Sequence, residues 1–397
     1  MVRGRTAGSV NAVRPGRTRM LNYDRGLLLA VVALALFGLV MVYSASVALA
    51  DGPRFGNLDR HHFALRHAVF LAVGTAAAAF VYSFSLETWR RLAIPVFILA
   101  LLLLVAVLIP GIGREVNGSW RWLSLGFGIN LQPSEVMKFA ALLYAADYTV
   151  RKQAHMDTFF RGFMPVALAM GAAGLLILLE PDLGAFVVIA AVTMGILFLG
   201  GINGKLFGGL TLVMSTMFLM LIWLSPWRRA RLFAYLDPWH EDIVQGKGYQ
   251  LSHSLIAVGR GEWTGVGLGG SIEKLHYLPE AHTDFIIAVI GEELGFIGLL
   301  AVMLLFAFIV RRAFEIGRQA IALERTFGGL AAQGVGLWLG VQAFINIGVC
   351  LGVLPTKGLT LPLMSYGGSG LVMNLCAIGL LLRVDYENRV LMRGGRR

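Results

Sequence analysis

The sequence predicts an all-α, polytopic membrane protein of about ten transmembrane helices, and three observations carry that prediction. Hydrophobic residues fill 57% of the 397 positions and charged residues only 14%, with a mean hydropathy of +0.72. Soluble globular chains do not have this composition. Apolar runs of membrane-spanning length recur along the whole chain, and a lipid-spanning run must satisfy its backbone groups internally, as a helix does. Lys and Arg are also unevenly divided between the connections, as topology signals are. The net charge of +11 raises nucleic acid as a partner, but the basic residues are scattered between apolar runs, which argues against it. Cys350 and Cys376 both sit in apolar runs, without disulfide or zinc spacing.

Residues 1–23 hold Arg3, Arg5, Arg14, Arg17 and Arg19 with no acid before Asp24, a basic tail. The apolar run after Leu27 is too long, and lacks the cleavage site, for a signal peptide. Residues 24–397 read as one transmembrane domain. Its spans fall at about 24–46, 63–83, 90–110, 133–150, 162–179, 183–201, 205–225, 284–310, 326–352 and 367–384. One side collects the tail, Arg90, Arg91, Arg151, Lys152, Arg161, Lys205, Arg311, Arg312, Arg318, Arg325 and the basic C-terminus. The short loops of the other side hold only Arg54, Arg60, Arg66, Arg114, Arg121 and Lys357. The richer side is expected to be cytosolic, with both termini inside.

That orientation makes 226–283 a large exterior loop, too long for a mere connector. Trp227, Trp239 and Trp263 within it suit a lipid interface, and Arg228, Arg229 and Arg231 form a basic run. GVGLGG at 265–270 matches a dinucleotide spacing but lacks the βαβ context. Backbone freedom or a close approach to a ligand is the better reading. The turn Glu180, Pro181, Asp182 reads as solvated ahead of a cation site, and His61, His62 and His67 lack metal-ligand spacing. Asp147 reads as an interface anchor or ion-pair partner.

The chain is organised around residues 276–298, HYLPEAHTDFIIAVIGEELGFIG. A polar loop runs into an apolar helix that still carries Asp284, Glu292 and Glu293. Acids in such a run are expensive, which marks a functional site. Asp284 is expected in the first helical turn, where free N–H groups favour its charged form. Glu292 falls roughly 12 Å deeper. Asp caps helices as readily as it does chemistry, and local sequence leaves those two readings level. Elsewhere on the same side, GREVNGSWRWLSLG (113–126) brings Arg114 and Arg121, and QPSEVMK brings Glu135 and Lys138 at i,i+3 spacing. LPTKGLTLPLMSYGGSG (354–370) brings Lys357, for which snorkelling to the interface is the simpler local reading.

Asp284, Glu280, His282, Glu135, Lys138, Arg114, Arg121 and Lys357 therefore share one face, as cations around a carboxylate. Such a set suits a substrate with an anionic head group and a hydroxyl to be deprotonated, the carboxylate acting as base and the cations steadying a phosphate leaving group. A lipid-linked diphosphate sugar meets these demands.

PEAHTDFIIAVIGEELG, GREVNGSWRW followed by QPSEVMKFA, and LPTKGLTLPLMSYGGSG together resemble the shape, elongation, division and sporulation (SEDS) family. The resemblance runs from the first span to the C-terminus, and the TKGLTLPLMSYGGSG and GREVNGSWRW forms look more like its division-associated branch than its elongation branch. It implies a ten-span peptidoglycan glycosyltransferase that polymerises lipid II outside the cytoplasmic membrane at the division septum. The implied partners are a class B penicillin-binding protein, the transpeptidase, and other division proteins, with membrane lipid around the bundle and no nucleic acid. Residue by residue, Asp284 matches the family's essential aspartate, Glu135 and Lys138 its pair at the fourth span, and Lys357 the lysine of its TKG motif. Two positions depart from the family pattern: His276, where an acid is common, and Gly370, where the family often has Ser.

The expected mechanism has Asp284 as the general base, with Lys138, Lys357 and Arg121 offsetting charge on the diphosphate. A divalent cation, Mg or Mn, could bridge Asp284 to that diphosphate, and no organic cofactor is expected. Arg114, Glu280 and His282 are further candidates for substrate contact. Two rivals come from other classes. A flippase for the lipid-linked precursor should place essential polar groups through the midplane or on both faces. A division scaffold should tolerate loss of Asp284.

Overall fold

The computed structural model describes residues 23–51, 58–116, 119–124, 126, 130–156, 158–240, 246, 248–356 and 358–394. The basic tail before residue 23 and Lys357 lie outside the described residues. Helices occupy all ten expected spans. They are α1 (Arg25–Ser46), α2 (His62–Ser83), α3 (Leu86–Leu108), α4 (Pro133–Lys152), α5 (Met164–Leu179), α6 (Leu183–Leu199) and α7 (Gly204–Trp223), then α10 (Ile286–Ala322), α11 (Thr326–Cys350) and α12 (Gly368–Met392). Between α7 and α10 lie α8 (Pro226–Leu236) and α9 (Tyr249–Gly261). Among the described residues, eight helices are long and apolar enough to cross a membrane.

The two expected spans outside that group differ for separate reasons. Helix α6 is apolar but has 17 residues. Helix α4 carries Glu135, Lys138 and Asp147 and hides them in the bundle: all three are buried. A helix shielded from lipid by its neighbours can keep such groups where a lipid-facing one cannot. In the apolar windows of α11 and α12, 72% of residues are buried, against 11% for α7. The centre of the bundle is therefore α4, α11 and α12, with α7 at its margin. Close approach uses small residues, as expected in lipid. A β-carbon on Gly379 of α12 would lie 2.4 Å from Ala78 O of α2.

At the face where α1 begins, Asp24 accepts from the Leu27 N–H at 2.9 Å and from Arg312, and Arg389 approaches it to 3.6 Å. Asp147 pairs with Arg90 and Arg151 at 3.4 and 2.6 Å. The opposite face carries the remaining architecture. One feature there departs from the all-helical expectation: Gly113–Val116, Ser119–Ser124 and Asn130–Leu131 form a small antiparallel sheet between α3 and α4.

Helix α10 breaks at Gly295 (φ 65°, ψ −162°). Two of its ladder bonds are replaced by an inserted segment. Val266 N donates to Glu292 O and Gly267 N to Glu293 O, both at 3.0 Å, while Phe296 N and Ile297 N donate to Glu262 O and Trp263 O. The glycines of GVGLGG serve this splice. A β-carbon on Gly265 would meet Glu293 O at 2.1 Å, so the close approach is to the protein's own helix and not to a ligand.

Candidate active site

The break in α10 also explains Glu292 and Glu293, which the sequence leaves without a role. Glu292 accepts from Arg260 Nη1 and Ser271 Oγ at 2.5 Å and from the Ile272 N–H at 2.9 Å. Glu293 accepts from Lys274 Nζ and Ser44 Oγ, both at 2.7 Å. Both acids are fully buried and fully engaged. They tie the segment before Asp284 to α1 and α10.

Asp284 itself lies just before α10, not in its first turn. The N-cap is Phe285, with no side-chain cap. The N–H groups of Thr283, Asp284 and Phe285 all point to Glu280 O, and Thr283 Oγ1 donates to Glu280 Oε2 at 2.8 Å. This turn holds Glu280 at φ 58°. The carboxylate of Asp284 is thereby left uncommitted to the helix, which removes the capping reading. It stands on the wall of a cavity of about 880 Å³. Gly358 lies against it, where a β-carbon would come within 3.0 Å of Oδ2. Burial pushes the Asp284 pKa up, to about 7, and neighbouring Glu280 adds to this; Arg121 opposes it, Asp182 adds to it and Arg231 opposes it. An acid so placed is half-charged near neutral pH, as a general base should be.

The cavity gathers several of the sequence candidates. Arg121, Glu135, Glu280 and Asp284 line it. Arg121 reaches in from the small sheet, its Nε and Nη2 donating to Glu180 O and Pro181 O at 2.8 and 2.6 Å. Glu135 Oε1 pairs with Lys138 Nζ at 2.8 Å, the contact their spacing predicts, while Oε2 has no partner. Lys138 stands behind the wall. Its ammonium also donates to Gln342 Oε1 at 2.9 Å and lies over the Trp338 ring. Arg114 is exposed on the sheet, opposite Trp122 and away from the cavity. His282 is buried between the rings of Phe63 and Tyr366, centroids 4.9 and 5.5 Å away. Burial lowers its pKa, against the pull of Glu280. Its ring packs the loop while its carbonyl accepts from Tyr366 N at 3.0 Å. Thr356 and Gly358, on either side of Lys357, both line the cavity.

Other lining residues were not candidates from sequence. The 180–182 turn is not solvated: Glu180 is fully buried with both carboxylate oxygens unpartnered. Burial pushes the Glu180 pKa up, to about 9, with Asp182 adding and Arg121 opposing. Asp182 lines the cavity and accepts from Gln132 Nε2 and Ser134 Oγ at 3.0 and 2.9 Å. Arg231 lines it from α8 and Arg66 from α2. A basic run marks Arg231 only as one of three. Polar amides in apolar runs, Gln342 and Asn346, were the signal left unused.

Apolar helices of membrane-spanning length around a charged cavity, with a half-buried, cation-flanked carboxylate on its wall, define a polytopic membrane protein with a site suited to an anionic substrate. The chain belongs to the FtsW, RodA and SpoVE family of cell cycle proteins, whose profile matches residues 25–390. It is 62% identical over 393 residues to a protein of Burkholderia thailandensis named probable peptidoglycan glycosyltransferase FtsW, covering 99% of this chain and 85% of that one. A protein of the same name from Aromatoleum aromaticum is 57% identical, covering 98% and 94%. In three dimensions the chain is similar to part of a solved peptidoglycan synthase complex in which polymerization and crosslinking are coordinated. The TM-score is 0.75 at 29% identity, over 93% of this chain and 99% of that one. The rod shape determining protein RodA of Thermus thermophilus gives 0.67 at 28% identity, over 92% and 97%.

Proposed function

We propose that this chain is a peptidoglycan glycosyltransferase that polymerises lipid II at the outer face of the cytoplasmic membrane during division. The observation that carries the proposal is Asp284, its pKa raised to about 7, on a cavity wall between Arg121 and Arg231. The named relatives support the activity and the division branch, and the distribution of Lys and Arg supports cytosolic termini. The similar synthase complex, in which polymerization and crosslinking are coordinated, supports a crosslinking transpeptidase as partner, and the family resemblance points to a class B penicillin-binding protein.

In the reaction, Asp284 takes the proton from the 4-hydroxyl of the acceptor's terminal N-acetylglucosamine. The freed oxygen pair attacks the anomeric carbon of the donor's N-acetylmuramic acid. The bond to the diphosphate breaks on the opposite side, and undecaprenyl diphosphate leaves with that electron pair, inverting the carbon. Arg121 and Arg231 offset the charge on the leaving group, a role also proposed for Lys357, which lies outside the described residues. Glu135 faces the cavity and is held by Lys138.

A divalent cation fits one pattern here. Among the described residues, no three His, Cys, Asp or Glu side chains are placed to cage an ion. Asp284 would be the protein residue to hold such an ion, which commonly binds through one or two carboxylates together with substrate phosphate. Such an ion would supply charge stabilisation to the diphosphate.

The test is polymerisation of lipid II in detergent by the purified protein with its transpeptidase, wild type against Asp284→Asn. Glycan polymer from the wild type without any compartment is the expected result. Translocation of lipid II in vesicles without polymer in either setting would replace this reading with a flippase.

A further inference from the structure

Gln342 and Asn346 lie four residues apart on α11, on one face of that helix. Both are buried, and neither lines the cavity. Each nevertheless directs its amide at the candidate site. Gln342 Oε1 accepts from Lys138 Nζ and from Trp338 Nε1, both at 2.9 Å, while Gln342 Nε2 donates to Thr360 O at 2.9 Å. One turn further, Asn346 Nδ2 bridges carbonyls of two separate loops, Asp284 O at 2.8 Å and Leu359 O at 2.6 Å. Cys350 Sγ, one more turn on, reaches the same Asp284 O at 3.5 Å.

We propose that Gln342 and Asn346 are positioning residues for the reaction: together they hold Lys138, Asp284 and the 359–360 backbone in one fixed arrangement. This rests on the glycosyltransferase reading above. The chemistry asks for amides at both positions. Gln342 must accept from two donors and donate to a carbonyl with the same group. Asn346 must offer two N–H bonds to two carbonyls, and leaves its own Oδ1 unpartnered to do so. Buried amides are costly in a membrane helix unless such bonds are made. The backbone at Asp284 and the backbone at Gly358–Leu359 are the two sides of the base, since Gly358 packs on Asp284 Oδ2. A shift of about 1 Å at a reacting group can lower a rate on the order of 10²-fold.

Asn346→Asp keeps the shape, removes the bridging donor and adds a carboxyl beside Asp284. With lipid II and the partner present, it should lose at least about tenfold in kcat with KM nearly unchanged. Its melting temperature in detergent should stay near that of wild type. At the next turn, Gln342→Leu should lose kcat comparably, and Gln342→Glu, which again offers Lys138 an acceptor, should recover part of the loss. Wild-type kcat in Asn346→Asp, or activity lost only in proportion to folded protein, would overturn the assignment. If Asn346→Asp does not fold, equal activity of Gln342→Leu and Gln342→Glu overturns it instead. Failure of the wild type to polymerise would count against the function, not against these two residues.

Discussion

Asp284 and Glu293 lie nine positions apart on one segment, one just before α10 and one inside it, and their surroundings differ in kind. Glu293 is fully buried with Lys274 and Ser44 bound to it. Asp284 is half-buried, faces a cavity, and has burial and Glu280 raising its pKa. A buried acid with a full set of partners holds structure together, and one left without them is available for chemistry. Burial and partners together separate the two.

The largest expected effect breaks the pair apart by readout. Asp284→Asn should lower polymerisation on the order of 10²–10⁴-fold while thermal unfolding in detergent stays unchanged. Lys274→Met should do the reverse in origin. It leaves the Glu293 carboxylate buried without its cation, at about 3–5 kcal/mol of stability, and should show as a lower melting temperature. Glu293→Gln in the same chain should recover most of that loss, whereas no second substitution at Lys274 should rescue Asp284→Asn.

A smaller effect sharpens the account of Asp284 itself. Because its pKa is raised to about 7 and the base must be ionised, the rate should rise with pH through about 7. Glu280→Gln removes a group that raises this pKa and should move the acid limb down. Arg121→Ala removes a group that lowers it and should move the limb up, with an added loss of kcat if the guanidinium also meets the diphosphate. Profiles of kcat against pH for the three proteins decide this.

The last effect is one of stability against pH and concerns Glu180, the unpartnered acid beside the cavity. Its folded pKa of about 9 lies above the ordinary 4.5, so the native state favours the proton. That contribution to stability is complete below the ordinary pKa and is lost as pH rises toward 9. Glu180→Gln should match wild type in melting temperature near pH 5 and exceed it near pH 8. A constant difference across that range would mean that Glu180 is charged in the native state.

Much of this was legible in the sequence. Continuous apolar runs of spanning length determined a helical membrane protein, because within a single lipid-spanning segment only a helix satisfies its own backbone polar groups. The i,i+3 spacing determined the Glu135–Lys138 pair, and an acid opening an apolar helix marked Asp284. Proximity along the chain could carry no further. The apparent dinucleotide motif is a splice into α10, which depends on Gly295 breaking its ladder. Arg114 and Arg121 look equivalent in sequence, yet the sheet turns one to solvent and the other into the cavity.

Only the tertiary structure decided which polar residues converge. Asp182, Arg231 and Asn346 come from three distant segments, and Asn346 joins the Asp284 and Leu359 backbones across 62 and 13 positions. Local sequence determines what a segment can become, because helix formation and lipid burial act over a few turns. Which side chain finds a partner, and which is left facing a cavity, is settled by packing between helices that are remote along the chain.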